Sequence, residues 1–370
     1  MTDPTVADPT PEPTSEATAA AVDALVAAAG ISANADQIRQ ILATGVLLGQ
    51  DGTDRLDLKI ARAALAEMRN AFKLFADFAD TPKVTIFGSA RTRTDDPQYA
   101  QAHEVAAALA ARGWMVVTGA GPGIMQAAME GAGADRSIGV SIRLPFEERA
   151  NHIIHDDPKH VSMKYFFTRK LMLVKESRAF VSVPGGFGTL DETFELLTLQ
   201  QTGKAEPTPI VLLDVPGGTF WQGLARYVDE QLVRLGLVAP DDLDRVLITD
   251  SVDDAVEEIT GFYRNYDSLR WVGDRLVLRL LAEPTDDEVA DLDARFGSLL
   301  RHGHIERTDP LPVERKDVDR PDLPRLALAF DQSHVGSLHR LIRAVNALPS
   351  APSVPSPPSP LPDPDPDHHP

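Results

Sequence analysis

The run Pro184-Gly185-Gly186-Phe187-Gly188-Thr189 places three glycines within four positions and a hydroxyl at its end. Backbone as bare as this can wrap an anion. If a helix opens there, its free N–H groups favour a phosphate by roughly 0.3–1 kcal/mol when exposed. Thr189 can donate its hydroxyl to the same anion. Asp191, Glu192 and Glu195 follow. Glu195 lies one turn beyond Glu192 and shares its helical face, whereas Asp191 reads as a solvated first-turn charge. Thr189-x-x-Glu192 also fits the capping-box pattern, which needs no function, and spacing alone favours that plain reading. A carboxylate one turn into a helix stays ionised, which suits charge stabilisation better than proton donation. No Gly-Lys-Ser/Thr ending follows the glycines, so this is not a Walker loop and ATP hydrolysis is not expected.

Arg169 and Lys170 interrupt an apolar segment, with Met163, Tyr165, Phe166 and Phe167 before them and Leu171, Met172, Leu173 and Val174 after. A helix apolar almost all round is expected to be buried. At helical spacing Arg169 falls between Tyr165, Phe166, Met172 and Leu173. A guanidinium there must find an anion, because unpaired burial costs about several kcal/mol. Glu192, a ligand phosphate or a structural Asp would each serve.

Two further glycine turns end apolar runs. Gly88-Ser89-Ala90-Arg91 could admit a ligand to its backbone and hydroxyl, but taken alone it reads better as a plain strand-to-loop turn with a solvated Arg91. Gly119-Ala120-Gly121-Pro122-Gly123-Ile124-Met125 resembles a dinucleotide fingerprint, but Ile124 stands at the third glycine's place. Ser141-Ile142-Arg143 also replaces the expected ribose-binding acid, so NAD binding is disfavoured. A glycine turn opening a helix still offers an anion free N–H groups, and a turn serving packing alone explains it equally well.

The elements that must position these turns alternate short apolar runs with helical patterns, which predicts an α/β fold. The expected architecture is a Rossmann-like parallel sheet with flanking helices, plus an N-terminal helical segment and a small C-terminal α+β module. Ligands of such sheets bind outside the carboxyl ends of the strands. The expected boundaries are a disordered tail over 1–20, a helical extension over 21–81 and the Rossmann-like domain over 82–266. The α+β module would follow over 267–347, then a disordered Pro-rich tail over 348–370. Within these, helices are predicted over 56–78 and 161–177, the latter carrying Arg169.

The 370 residues are 43 % hydrophobic, enough for a sizeable core, and contain no cysteine, which excludes disulfides, zinc–thiolate sites and cysteine nucleophiles. A net charge of −19 argues against nucleic acid as a partner. No apolar stretch is long enough to span a membrane, and residues 1–20 lack the pattern of a signal peptide, so a cytoplasmic location is expected.

Together these residues resemble the Lonely guy (LOG) family of nucleotide phosphoribohydrolases, often mislabelled as lysine decarboxylases. Pro184 through Glu192 matches the family's Pro-Gly-Gly-x-Gly-Thr-x-x-Glu without a gap, and Arg169-Lys170 matches its Arg-Lys pair on the preceding helix. The 119–125 turn approximates the family's Gly-Gly-Gly-x-x-Gly-Leu-Met, with Ala120 in place of a glycine. The resemblance spans about residues 82–266 and implies a substrate, a nucleoside 5′-monophosphate such as a cytokinin riboside monophosphate or AMP, split into free base and ribose 5-phosphate. It implies Glu192 and Arg169 as the catalytic pair. Gly88, Ser89, Gly119, Gly121, Gly123, Met125, Lys170, Gly185, Gly186, Gly188, Thr189 and Glu195 would bind substrate. It implies no metal or organic cofactor, and a homodimer or higher homo-oligomer with sites near subunit contacts. Two alternatives stand beside it. One is a non-catalytic nucleotide-binding regulator. The other, a PLP-dependent decarboxylase, lacks a lysine in a convincing Schiff-base setting.

Overall fold

The computed structural model describes residues 15–143, 150–355 and 358. The rest of the two expected tails, 1–14 and all of 356–370 but 358, lies outside these residues. The chain divides into two units, Met1–Ala66 and Glu67–Pro370.

In the first unit α1 (Glu16–Ala28) opens on Ser15, whose hydroxyl accepts from the Thr18 amide at 3.3 Å. Residues 16–20, expected as tail, are therefore helix, because a serine cap starts the Ala-rich run earlier than composition suggests. α2 (Ala35–Gln50) follows, and Asp23 pairs with Arg39 across the two helices at 2.5 Å. α3 (Arg55–Ala76) opens in this unit and continues into the second.

The second unit alternates strand and helix. In order come β1 (Lys83–Phe87), α4 (Pro97–Ala111), β2 (Met115–Thr118), α5 (Ile124–Ala132), β3 (Ser137–Ile142), β4 (His160–Met163) and α6 (Phe166–Lys175). Then follow β5 (Ala179–Ser182), α7 (Phe187–Gln201), β6 (Ile210–Leu213), α8 (Phe220–Tyr227), β7 (Val246–Thr249) and α9 (Val252–Gly261). The seven strands form one parallel sheet in the order β4-β3-β2-β1-β5-β6-β7. Every residue of β1, β2, β5 and β6 is buried, as continuous apolar strands covered on both faces require. Val84 and Ile86 enter a core with α4, α5 and α9, while Phe87 enters the opposite one with Ala71 and Phe75 of α3 and Met172 of α6.

The chain lays β1 to β4 outward in one direction and then returns to place β5 on the other side of β1. At such a reversal the loops leaving β1 and β5 part in opposite directions and open a crevice beyond the strand ends. All three glycine turns leave strands at this end of the sheet.

The remaining elements are β8 (Tyr266–Val272), β9 (Arg275–Leu280), α10 (Asp286–Phe296), β10 (Leu300–Arg307), α11 (Pro312–Lys316), β11 (Arg325–Phe330) and α12 (Val335–Asn346). They build an antiparallel sheet in the order β10-β11-β9-β8. Leu276, Leu278, Leu326 and Leu328 belong to the same apolar cluster as Val84 and Ile86, so this region shares a core with the parallel sheet.

Two further sequence expectations change. The helix expected over 161–177 is a strand, β4, followed by the shorter α6. Pairing of Gly139 with His160 and Ile142 with Met163 claims the first residues for the sheet, a choice that apolar periodicity over a short run cannot make. Nor is α6 buried all round, because Phe166, Phe167 and Leu171 are exposed. Among the described residues no helix is long and apolar enough to cross a membrane.

Candidate active site

The three turns converge on Ser89. A side chain at Gly123 (φ 67°) would collide with the Ser89 carbonyl oxygen, which accepts the first α5 amide, Ile124 N, at 3.0 Å. A Cβ at Gly185 would collide with Thr189 Oγ1 and lie 3.0 Å from the Ser89 amide. The Ile124 side chain fills the space over Gly88. Ile124 thus explains both its own departure from the dinucleotide pattern and the glycine at 88. The Ser89 carbonyl consumes an α5 amide, so this turn offers an anion less than its sequence suggests.

The third turn keeps its amides. α7 begins at Phe187 with Gly186 as its N-cap, and no side chain caps it. Cβ positions on Gly186 and Gly188 point into open space, with nothing within 4 Å. The amides of the first turn of α7 therefore form a bare N-terminal cradle with room in front of it. Because the helix starts at Phe187, Thr189 is already its third residue, and the capping box favoured by spacing does not form. Thr189 is buried, with its hydroxyl beneath Gly185.

Glu192, released from that capping role, faces α6. Arg169 Nη2 donates to its Oε1 at 3.0 Å, and Lys170 Nζ lies 3.9 Å from its Oε2. Lys170 donates to Glu195 at 2.6 Å and also pairs with Asp191 at 2.9 Å. Asp191 is exposed, as expected, but joins this cluster instead of standing free. Arg169 also lies over the Phe166 ring, 5.4 Å from its centroid. Glu192 is only 4 % exposed, yet its Oε2 has no hydrogen-bond partner, and neither does Arg169 Nε. Buried polar atoms left unpaired are costly, and a ligand is one way to satisfy them. Burial pushes the Glu192 carboxyl above the ordinary carboxylate range, against the opposing pull of Arg169 and Lys170. A helix N-terminus alone led to the expectation of an ionised acid; the desolvation that opposes it is a tertiary effect. For Lys170 burial works downward, but its bonds to Glu195 and Asp191 and the charge of Glu192 carry it above the usual lysine value.

The second turn reaches the same place. Met125 lies against Gly119 and Gly121, and the Cβ position of Gly119 is 3.7 Å from Arg169 Nη1. Ala120 adopts a left-handed φ of 58° where the family motif has glycine. Thr118 Oγ1 accepts its amide at 3.0 Å, and its carbonyl accepts from Asn151 N at 2.8 Å. Asn151 Nδ2 also donates to the Gly121 carbonyl at 3.0 Å. Sequence reasoning missed Asn151, which carries no motif and lies 30 residues from the turn it holds.

Fold and site together define a Rossmann-like α/β protein with a bare helix N-terminus beside a buried glutamate and its arginine partner at its topological switch point. A family model described as "Possible lysine decarboxylase" matches residues 123–259. The cytokinin riboside 5′-monophosphate phosphoribohydrolase of Mycobacterium tuberculosis is 35 % identical over 161 residues, 42 % of this chain and 81 % of that protein. Its namesake from Mycobacterium marinum is 34 % identical over 157 residues, 41 % of this chain and 80 % of that protein. Among solved structures, the molybdenum cofactor binding protein of Rippkaea orientalis is 20 % identical, with a TM-score of 0.33 over 48 % of this chain and 94 % of that one. The two mycobacterial relatives, covered over most of their length, show that the chain belongs to the Lonely guy family.

Proposed function

We propose that this chain hydrolyses the N-glycosidic bond of a nucleoside 5′-monophosphate to free base and ribose 5-phosphate. The observation that carries this reading is buried Glu192, bonded by half-buried Arg169 beside the open cradle at 185–189, with one carboxylate oxygen and one guanidinium nitrogen left without a hydrogen bond. The names of the mycobacterial relatives agree with it.

In this scheme the 5′-phosphate sits on the first amides of α7. Breaking the bond to the base leaves positive charge on the ribose, an oxocarbenium-like state. Ionised Glu192 stabilises that charge and orients the attacking water. Water supplies the hydroxyl to the ribose and its proton goes to the departing base. Arg169 holds Glu192 in place and assists the base as it leaves, and Lys170 favours the ionised carboxylate. The scheme uses no metal and no organic cofactor. The exposed apolar residues of the helices that carry the site, Phe166, Phe167 and Leu171 on α6 and Phe187 and Phe194 on α7, support a homo-oligomer in which a second copy covers them.

The test is incubation of purified protein with nucleoside mono-, di- and triphosphates, including AMP and a cytokinin riboside monophosphate. Base and ribose 5-phosphate should appear in equal amounts from a monophosphate. No release from any monophosphate would overturn the reading and leave a nucleotide-binding regulator.

A further inference from the structure

The helix that carries Arg169 and Lys170 does not hold its own start. α6 has ten residues, and its N-cap, Tyr165, provides no side-chain hydrogen bond. A helix this short is marginal by itself and takes its register from what surrounds it. That support comes from α3. Glu67, the first residue of the second unit, is 8 % exposed and turns its carboxylate to the entry of α6. Oε1 accepts from the Lys164 amide at 2.9 Å, while Oε2 accepts from the buried Thr168 hydroxyl at 2.8 Å and, at 3.5 Å, from the Tyr165 amide. Thr168 immediately precedes Arg169. Glu67 shares a helical face with Ala71 and Phe75, both buried in the core that also contains Met172 and Leu173 of α6. One stripe of α3 therefore shares a core with the body of α6 and binds its N-terminal end.

We propose that Glu67 is a positioning residue for the reaction: it sets the register of α6 so that Arg169 meets Glu192 and Lys170 meets Glu195. This rests on the function proposed above. Glu67 touches neither the pair nor the cradle, so its effect passes through the backbone of α6. Loss of that anchor shifts Arg169 relative to Glu192, and misplacement by about 1 Å can cost on the order of 10²-fold in rate. The phosphate cradle on α7 is untouched, so substrate affinity should stay.

The test compares Glu67→Ala, Glu67→Gln and Thr168→Val in the full chain, with base release from a monophosphate and hydrogen exchange over residues 164–175 as readouts. Glu67→Ala should lower kcat on the order of 10- to 100-fold with KM changed less than about threefold. Glu67→Gln should recover most of the loss, because its amide oxygen still accepts one of the bonds. Exchange over 164–175 should quicken in the Ala variant while exchange over α7 stays as in the wild type. If Glu67→Ala does not fold, Thr168→Val removes with little change of shape the hydroxyl that faces Glu67 and the Tyr165 carbonyl, and should lower kcat about three- to tenfold in the same pattern. Wild-type kcat in the folded variants, a loss expressed in KM, or unchanged exchange over 164–175 would overturn the proposal. A wild-type chain that releases no base would instead sink the proposed function, and the exchange measurement would still decide whether Glu67 holds α6.

Discussion

Two buried carboxylates, Glu192 on α7 and Glu314 on α11, each face two cations, yet their ionisation is pushed in opposite directions. Glu192 receives one hydrogen bond, from Arg169, with Lys170 at 3.9 Å, and keeps an unpartnered oxygen. Burial wins there, and the carboxyl rises. Glu314 is fully buried in the C-terminal sheet region, where burial also acts upward. It accepts from Arg279 Nε and Nη2 at 3.1 and 2.9 Å, from Arg325 Nε at 3.2 Å and from the Leu311 amide at 3.0 Å. These bonds outweigh burial and hold Glu314 below the ordinary range. At similar depth, the number of donors sets the direction in which a buried acid's ionisation is pushed. A saturated acid joins elements and has no capacity left for a ligand; an undersaturated one is held in place and still free to act.

The largest effect should come from Glu192→Gln. Base release should fall about 10³-fold while monophosphate binding survives, because the amide keeps the shape but not the charge. Product chromatography and binding calorimetry on one preparation would check both halves. A variant with wild-type turnover would reduce Glu192 to a structural partner of Arg169. Glu314→Gln should do the reverse, lowering unfolding free energy by about 3 kcal/mol by leaving two arginines short of a negative partner. Turnover per folded molecule should hold; a fully folded variant that had lost turnover would erase the distinction between the two clusters.

Smaller effects sharpen the same contrast. Lys170→Met removes a cation that favours ionised Glu192, so its carboxyl should rise further. As pH falls, the rate should then begin to drop at a higher pH than in the wild type, a shift read from the acidic limb of kcat/KM. An unmoved limb would mean that Lys170 serves Glu195 and Asp191 alone. The smallest change expected is at Ala120, whose left-handed φ costs about 1–2 kcal/mol. Ala120→Gly relieves that cost but loses a buried methyl and loosens the unfolded chain, so thermal unfolding should show a gain below about 1 kcal/mol. A clear loss of stability would mean that the methyl's contacts with its neighbours in the buried cluster of Met129 and Ile154 outweigh the backbone cost.

Much of the molecule could be read from local pattern. Strand–helix alternation announced the parallel sheet, and the glycine run with its threonine announced a helix N-terminus able to take an anion. These are properties of neighbouring residues, where backbone freedom and periodicity act. Residues 161–163 of β4 fall inside the helical pattern over 161–177 yet pair as a strand, because short apolar runs take their state from the strand or core they meet.

Residue type and spacing within one turn suffice to say which chemical groups exist and which turns are bare, and these were legible from the chain alone. Three-dimensional packing is what takes Glu192 from the capping box to Arg169, closes Ile124 over Gly88, and makes Asn151 and Glu67 hold elements far from them in sequence. Pairing, burial and desolvation depend on what lies across space, and no local pattern records the distance between α6 and α7.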